Sequence, residues 1–309
     1  MSLAVVSFNQ IMIMFIIIVA GVICYKTKLI DKETNKKLAD LVLMVVNPLV
    51  IFVSYQREFE AELVKGLLIS LLLALITHIF GILAAALLLR KKKNEEQVVL
   101  ERFAVAYSNC GFIGIPLVNG IFGGEGVFYL TAYMTIFNLA VWTHGVIAVS
   151  GKRDMKSVVK AILSPSVIAT VSGFILFIFR VLLPKPVYEA IDYIGGMNTP
   201  MAMLVAGATI AQTDIRKLIF KIRIYYVALL KLLLLPISVL LMFCTLNIPK
   251  IVLLTVVLAA ACPTAATINL FALRYNKDYK YASEMFAITT ILCSLTIPLV
   301  MIIANYITG

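Results

Sequence analysis

The sequence predicts an all-α polytopic membrane protein of ten transmembrane helices, arranged as two inverted repeats of five, with helices 4 and 9 interrupted. Three observations carry this. The 309 residues are 62% hydrophobic and only 14% charged, where soluble domains run nearer half apolar and a quarter charged. The apolar residues gather into stretches of about 20, the length that crosses a bilayer as a helix. Two of those stretches hold helix breakers where an anchoring helix would hold none.

Taken in order, the spans fall at approximately 3–24, 36–55, 63–89, 98–122, 126–149, 161–183, 188–212, 218–246, 250–273 and 280–306. The first lacks the basic start and small-residue cleavage site of a secretory signal, so it reads as a retained helix. The loops reach at most about a dozen residues and leave no room for a soluble domain.

Lysine and arginine set the direction of the spans. The odd-numbered loops carry Lys26, Lys28, Lys32, Lys36 and Lys37, then Arg90, Lys91, Lys92, Lys93 and Arg102. Further along they carry Lys152, Arg153, Lys156 and Lys160, then Arg216, Lys217, Lys221 and Arg223, and finally Arg274, Lys277 and Lys280. The even loops hold only Arg57, Lys65, Arg180, Lys185 and Lys250. The odd loops are therefore expected in the cytoplasm and both termini outside, as in a multi-pass plasma-membrane protein. The net charge of +11 is thereby a topology signal, and no nucleic-acid partner is implied.

Five spans per half, an odd number, force the second half to run inverted. A shift of about 152 residues brings Asn47-Pro48 near Thr199-Pro200, His78 onto Lys231, Cys110 near Pro263 and Glu125 near Asp278. The first repeat is expected over 1–155 and the second over 156–309. Inverted repeats place a substrate site at their interface, near the bilayer midplane.

Span 4 contains Tyr107–Phe122, with Gly111, Gly114, Gly120, Pro116, Asn109 and Asn119 inside an apolar run. Span 9 carries Pro263, Thr264, Thr267 and Asn269. Proline deletes a backbone donor, and unwound backbone at membrane depth survives only where it is buried in protein or lines a water-filled cavity. Pro48 in span 2, Pro116 and Pro263 are the expected break points. Paired unwound helices are where secondary transporters hold substrate.

Other motifs say less. Cys24, Cys110, Cys244, Cys262 and Cys293 sit in or beside apolar stretches with no metal or disulfide spacing. Gly123-Gly124-Glu125-Gly126 lacks the Lys-Ser/Thr of a phosphate loop and reads as a tight turn between spans 4 and 5. With no nucleotide motif, transport would run on substrate or ion gradients. Lys231 is the one basic residue deep in a span, and intramembrane charges tend to be functional. Three roles compete for it: attracting an anion, switching with a proton, or tying helices through a carboxylate, the tie ranking first. His78 and His144 read as hydrogen-bonded helix residues. Glu284 could titrate or hold a cation, but reads first as a solvated rim residue, as does Asp40.

The run Asn109-Cys110-Gly111-Phe112-Ile113-Gly114-Ile115-Pro116-Leu117, with Phe122–Gly126, Asn138 and Trp142–Gly145, resembles the auxin efflux carrier family, particularly its bacterial malate/malonate-type members. Thr199–Ala208, Lys231–Pro236, Cys262–Ala265 through Arg274-Tyr275, and Ser294, Thr296 and Pro298 extend the likeness over essentially the whole chain. The resemblance implies a fold like that of bile-acid/sodium symporters. Helices 4 and 9 would cross between a scaffold and a transport domain, each drawn from both repeats. It implies small organic anions as substrates, aliphatic carboxylates or indole acetate, and homodimers as in plant relatives. Thr267 and Ile268 stand where plant auxin carriers have a second proline, and the long hydrophilic central loop is missing; both argue against auxin.

Two half-helices meeting head-on aim backbone amides and positive dipole ends at one point, which suits a carboxylate without a buried cation. The expected lining is Asn109, Gly111, Gly114 and Pro116 in span 4, with Pro263, Thr264, Thr267 and Asn269 in span 9 and Asn47 in span 2. Glycine permits close backbone approach, and the amides offer both donor and acceptor. Asn47 could equally bridge the carbonyl freed by Pro48. The expected function is a carrier of a small carboxylate by alternating access, with no cofactor or metal and with sodium or proton coupling open. A passive channel of the same fold is the alternative. A membrane-embedded enzyme lacks the clustered Asp or His motifs it would need, and a sensor lacks an output domain.

Overall fold

The computed structural model describes residues 3–90, 95–151, 159, 162–213 and 221–308. Among them α1 spans Leu3–Lys26, α2 Lys32–Ser54, α3 Ala61–Leu88 and α4 Glu95–Ala106. A long run, α5, covers Cys110–Ser150. Then come α6 Pro165–Ile178, α7 Lys185–Ala211, α8 Ile222–Phe243 and α9 Lys250–Ala261, with α10 Thr267–Arg274 and α11 Tyr279–Ile307. The described regular structure is helical, apart from one isolated bridge taken up below.

Local chemistry accounts for the boundaries. Asp31 caps α2 by accepting the Thr34 N–H at 2.7 Å, and Asp278 caps α11 through the Tyr281 N–H at 2.9 Å. Pro165 opens α6, where its missing N–H costs nothing. The π-helical turns Val42–Val46, Cys110–Gly114 and Leu230–Leu234 each end just before a proline, at Pro48, Pro116 and Pro236. Widening the turn re-spaces the bonds around the donor that proline lacks. Gly123 has φ 64° and ψ −160°, a conformation open to glycine. It bends α5 at the turn expected between spans 4 and 5.

Seven of the described helices are long and apolar enough to cross a bilayer, and α6 and α9 are shorter apolar helices, against ten expected spans. Breaks account for two of the three, and the third, span 6, is represented by the shorter α6. Span 4 is divided into α4 and the start of α5, whose bend at Gly123 joins that half to span 5 in one run. Span 9 is divided into α9 and α10. The repeat boundary expected at residue 155, Lys91–Lys93 and the loop lysines and arginines at 152–160 and 216–217 lie outside the described residues.

The helices pack as two groups. In one, α1 lies along the second half of α7, and the second half of α2 packs on α6 and the first half of α7. The α1–α7 contact is close. A methyl at Gly21 would strike the Leu204 backbone and one at Gly207 the Ile18 backbone, the small-residue packing that holds membrane helices together. In the other group α3 packs on α4 and α5, α9 on α5 and α8, and α10 and α8 on α11. Between the groups, α1 meets α5 and α11.

Candidate functional site

The site begins where α4 ends. Residues 107–109 leave the helix, and the Asn109 side chain accepts the Phe112 N–H at 3.3 Å, capping the half-helix that follows. The break in span 9 follows from two residues. Pro263 has no N–H for Ala259, and the Thr264 N–H, which a continuous helix would send to Ala260, goes to Thr289 Oγ1 at 3.2 Å.

The two breaks lie across each other. Ser108 and Thr264 form an antiparallel bridge. The Asn109 N–H donates to the Pro263 carbonyl at 2.7 Å and the Ala265 N–H to the Tyr107 carbonyl at 3.0 Å. Side chains repeat the exchange. Ser108 Oγ donates to the Ala260 carbonyl at 3.3 Å, and Thr264 Oγ1 to the Ala104 carbonyl at 3.2 Å. Each break thus satisfies carbonyls released by the other, which buried backbone demands. All the residues making these exchanges are buried.

Asn47 reaches this crossing from α2. Its Nδ2 donates to the Gly111 carbonyl at 3.5 Å, and Asn198 Nδ2 of α7 donates to Asn47 Oδ1 at 2.5 Å. A backbone carbonyl only accepts, so it fixes the orientation of both amides in turn. Asn198 Oδ1 is buried and has no hydrogen-bond partner among the described residues. Of the expected lining, Asn47, Asn109, Gly111, Gly114, Pro263 and Thr264 gather here. A methyl at Gly111 would sit 3.6 Å from Asn47 Nδ2, and one at Gly114 3.4 Å from Cys110 Cβ. These are ordinary contacts, so no protein neighbour forces either glycine. Pro116 is buried, and its carbonyl takes Gln10 Nε2 of α1 at 3.4 Å. Asn269 turns toward α11 instead, its Oδ1 accepting Ser283 Oγ at 3.2 Å. Thr267 Oγ1 is buried, with no hydrogen-bond partner among the described residues.

Three cavities follow the boundary between the helix groups. One of about 430 Å³ is lined by Tyr25, Lys32, Gln212, Lys280, Ser283 and Glu284. Another, about 240 Å³, is lined by Ser54, Arg57, Asn119, Tyr188, Asp192 and Gly196. Between them, beside Ile113, Leu117 and Thr290, the space is only about 20 Å³. That is room for one water and too little for a carboxylate.

The charged residues differ from expectation in their partners. Glu284 is no solvated rim group: its side chain is 4% exposed and pairs with Lys221 at 2.5 Å. Lys231 is fully buried. It donates to Ser108 Oγ at 2.5 Å and to the Ala260 carbonyl at 3.3 Å, with no carboxylate pair among the described residues. His78 Nδ1 lies 2.7 Å from the Ala74 carbonyl, which places the proton there and leaves Nε2 a bare acceptor. Sequence reasoning missed Ser108, Asn198, Thr289 and Glu101. Glu101 is buried and holds Arg223 at 2.9 and 2.6 Å and Tyr281 OH at 2.8 Å. For Asn198 a signal existed, since it stands two residues before Pro200 where Asn47 stands one before Pro48.

The family described as "Membrane transport protein" matches residues 6–158 and 149–301. An "Uncharacterized transporter" of Methanothermobacter thermautotrophicus is 25% identical over 301 residues, 95% of this chain and 97% of that relative. A "Putative malonate transporter" of Rhizobium meliloti is 25% identical over 232 residues, 71% of each chain.

Proposed function

We propose that this chain, which belongs to the membrane transport protein family, is a secondary transporter that carries a small organic carboxylate by alternating access. The observation that carries the reading is the crossing of the two breaks, pinned by the Asn109–Pro263 and Ala265–Tyr107 backbone bonds. It sets the N-terminal end of the Cys110 half-helix, capped by Asn109, against the break in span 9. Amides and a positive dipole end favour an anion at such a point. A malonate-like dicarboxylate is the substrate class favoured by the relative of that description.

The reciprocal caps support an inverted repeat. Ser108 and Ala260 stand to each other as Thr264 and Ala104 do, the relation a two-fold axis through the crossing would generate; it matches Ser108 to Thr264, a shift of 156 residues rather than about 152. In the cycle, the group of α1, α2, α6 and α7 serves as scaffold, and the group carrying the crossing shifts against it. Such a shift opens the crossing first to one cavity and then to the other. The lysine-rich loops face the cytoplasm and both termini face outward.

Thermal unfolding of the purified protein with malonate, malate, succinate, citrate, lactate and indole acetate tests the ligand class. A ligand that binds only the folded state raises its stability with concentration over Kd. A shift confined to the dicarboxylates supports the reading, and stabilisation by indole acetate alone would overturn it.

A further inference from the structure

The two caps at the crossing are unequal. The Ala104 carbonyl takes the Thr264 hydroxyl, whereas the Ala260 carbonyl takes both Ser108 Oγ and Lys231 Nζ. Ser108 is itself held from behind, accepting from Lys231 while donating to Ala260. The Lys231 nitrogen therefore sits at the C-terminal end of α9, where released carbonyls and the negative end of the helix dipole converge. The π-turn Leu230–Leu234 of α8 presents it there, and the side chain is fully buried. The described ion pairs engage Lys37, Lys65, Lys185, Lys221 and Arg223, and Lys231 is in none of them. Among the described residues, the Cys110 and Cys262 thiols and His78 lie close enough to interact with it electrostatically.

Half-helix C-termini and unwound carbonyls are what coordinate a coupling sodium ion in transporters of broken-helix design. Here oxygens of that kind are taken by a nitrogen. We propose that the Lys231 ammonium occupies the place of a coupling cation, a positive charge tethered to α8, so that the crossing assembles and binds its anion without sodium. The proposal rests on the carrier reading. A tethered charge cannot leave with the substrate, so a sodium gradient does no work in the cycle.

The test compares thermal unfolding of the native protein in sodium chloride and in choline chloride, alone and with malonate added. The native protein should show no stabilisation specific to sodium, and its apparent malonate affinity should agree within about twofold between the salts. A sodium-specific rise in Tm of the native chain, or an affinity about tenfold weaker in choline, would overturn the proposal. A lack of response to every anion would count against the carrier reading instead, and the sodium comparison would still decide the cation. Lys231→Gln empties the position: sodium, but not choline, should then stabilise the folded protein. A folded Lys231→Gln protein that binds malonate in choline like the native chain would also overturn it. If that variant does not fold, the native comparison decides alone.

Discussion

Thr264→Val isolates one half of the crossing. Valine keeps the shape of threonine but removes the hydroxyl that donates to the Ala104 carbonyl at 3.2 Å. Both residues are fully buried, so water cannot replace the lost donor. A buried acceptor left unsatisfied costs about 1–3 kcal/mol. The backbone bond from the Thr264 N–H to Thr289 is untouched, so the cost belongs to the cap. In a chain of this size about 2 °C of Tm accompanies each kcal/mol, giving an expected fall of about 2–6 °C. Thr264→Ser keeps the hydroxyl and should stay within about 1 kcal/mol of the native protein. Melting of the purified proteins in detergent reads the difference. If Thr264→Val melts with the native chain, the hydroxyl does not cap the broken helix and the reciprocal account of the crossing is wrong.

Asn109→Ala deletes the cap of the half-helix that points at the proposed anion site, costing about 1 kcal/mol of stability; saturable carboxylate flux should fall at least about tenfold while helical circular dichroism is retained. Asn47→Leu leaves both Asn198 Nδ2 and the Gly111 carbonyl without partners, and should destabilise by roughly 1–3 kcal/mol by thermal melting; an unchanged melt would remove the amide chain from the crossing. Gly207→Val forces a side chain into the Ile18 backbone, so α1 and α7 must separate. The expected outcome is about 1–3 kcal/mol or more of destabilisation, seen as a lower Tm and poorer recovery of monodisperse protein.

The breaks were legible because each depends on residues close together in sequence. Pro263 and Asn109 act on their own turns, and glycines with a proline in an apolar run contradict an uninterrupted helix whatever surrounds them. What the breaks do for each other was not legible. Ser108 meets Ala260, and Thr264 meets Ala104, only because the two segments cross, and a serine or threonine in a membrane helix more often bonds its own preceding turn. Arg223 reads as a loop charge and Glu101 draws no notice until α4, α8 and α11 bring them together with Tyr281. Glu284 reads as a rim residue for the same reason, since Lys221, the residue that precedes α8, approaches it from there. Lys231 was singled out correctly as a buried charge, but its partners are a hydroxyl and a carbonyl, which carry no complementary charge for a sequence search to find. Gly111 and Gly114 were legible as glycines, yet the close approach expected of them is not to any protein atom.

Uptake of radiolabelled malonate by proteoliposomes decides whether a small carboxylate passes through the crossing. Uptake should saturate with malonate, be competed by malate and be lost in Asn109→Ala. Flux that rises linearly with concentration, ignores competitors or survives in Asn109→Ala would contradict passage by that route.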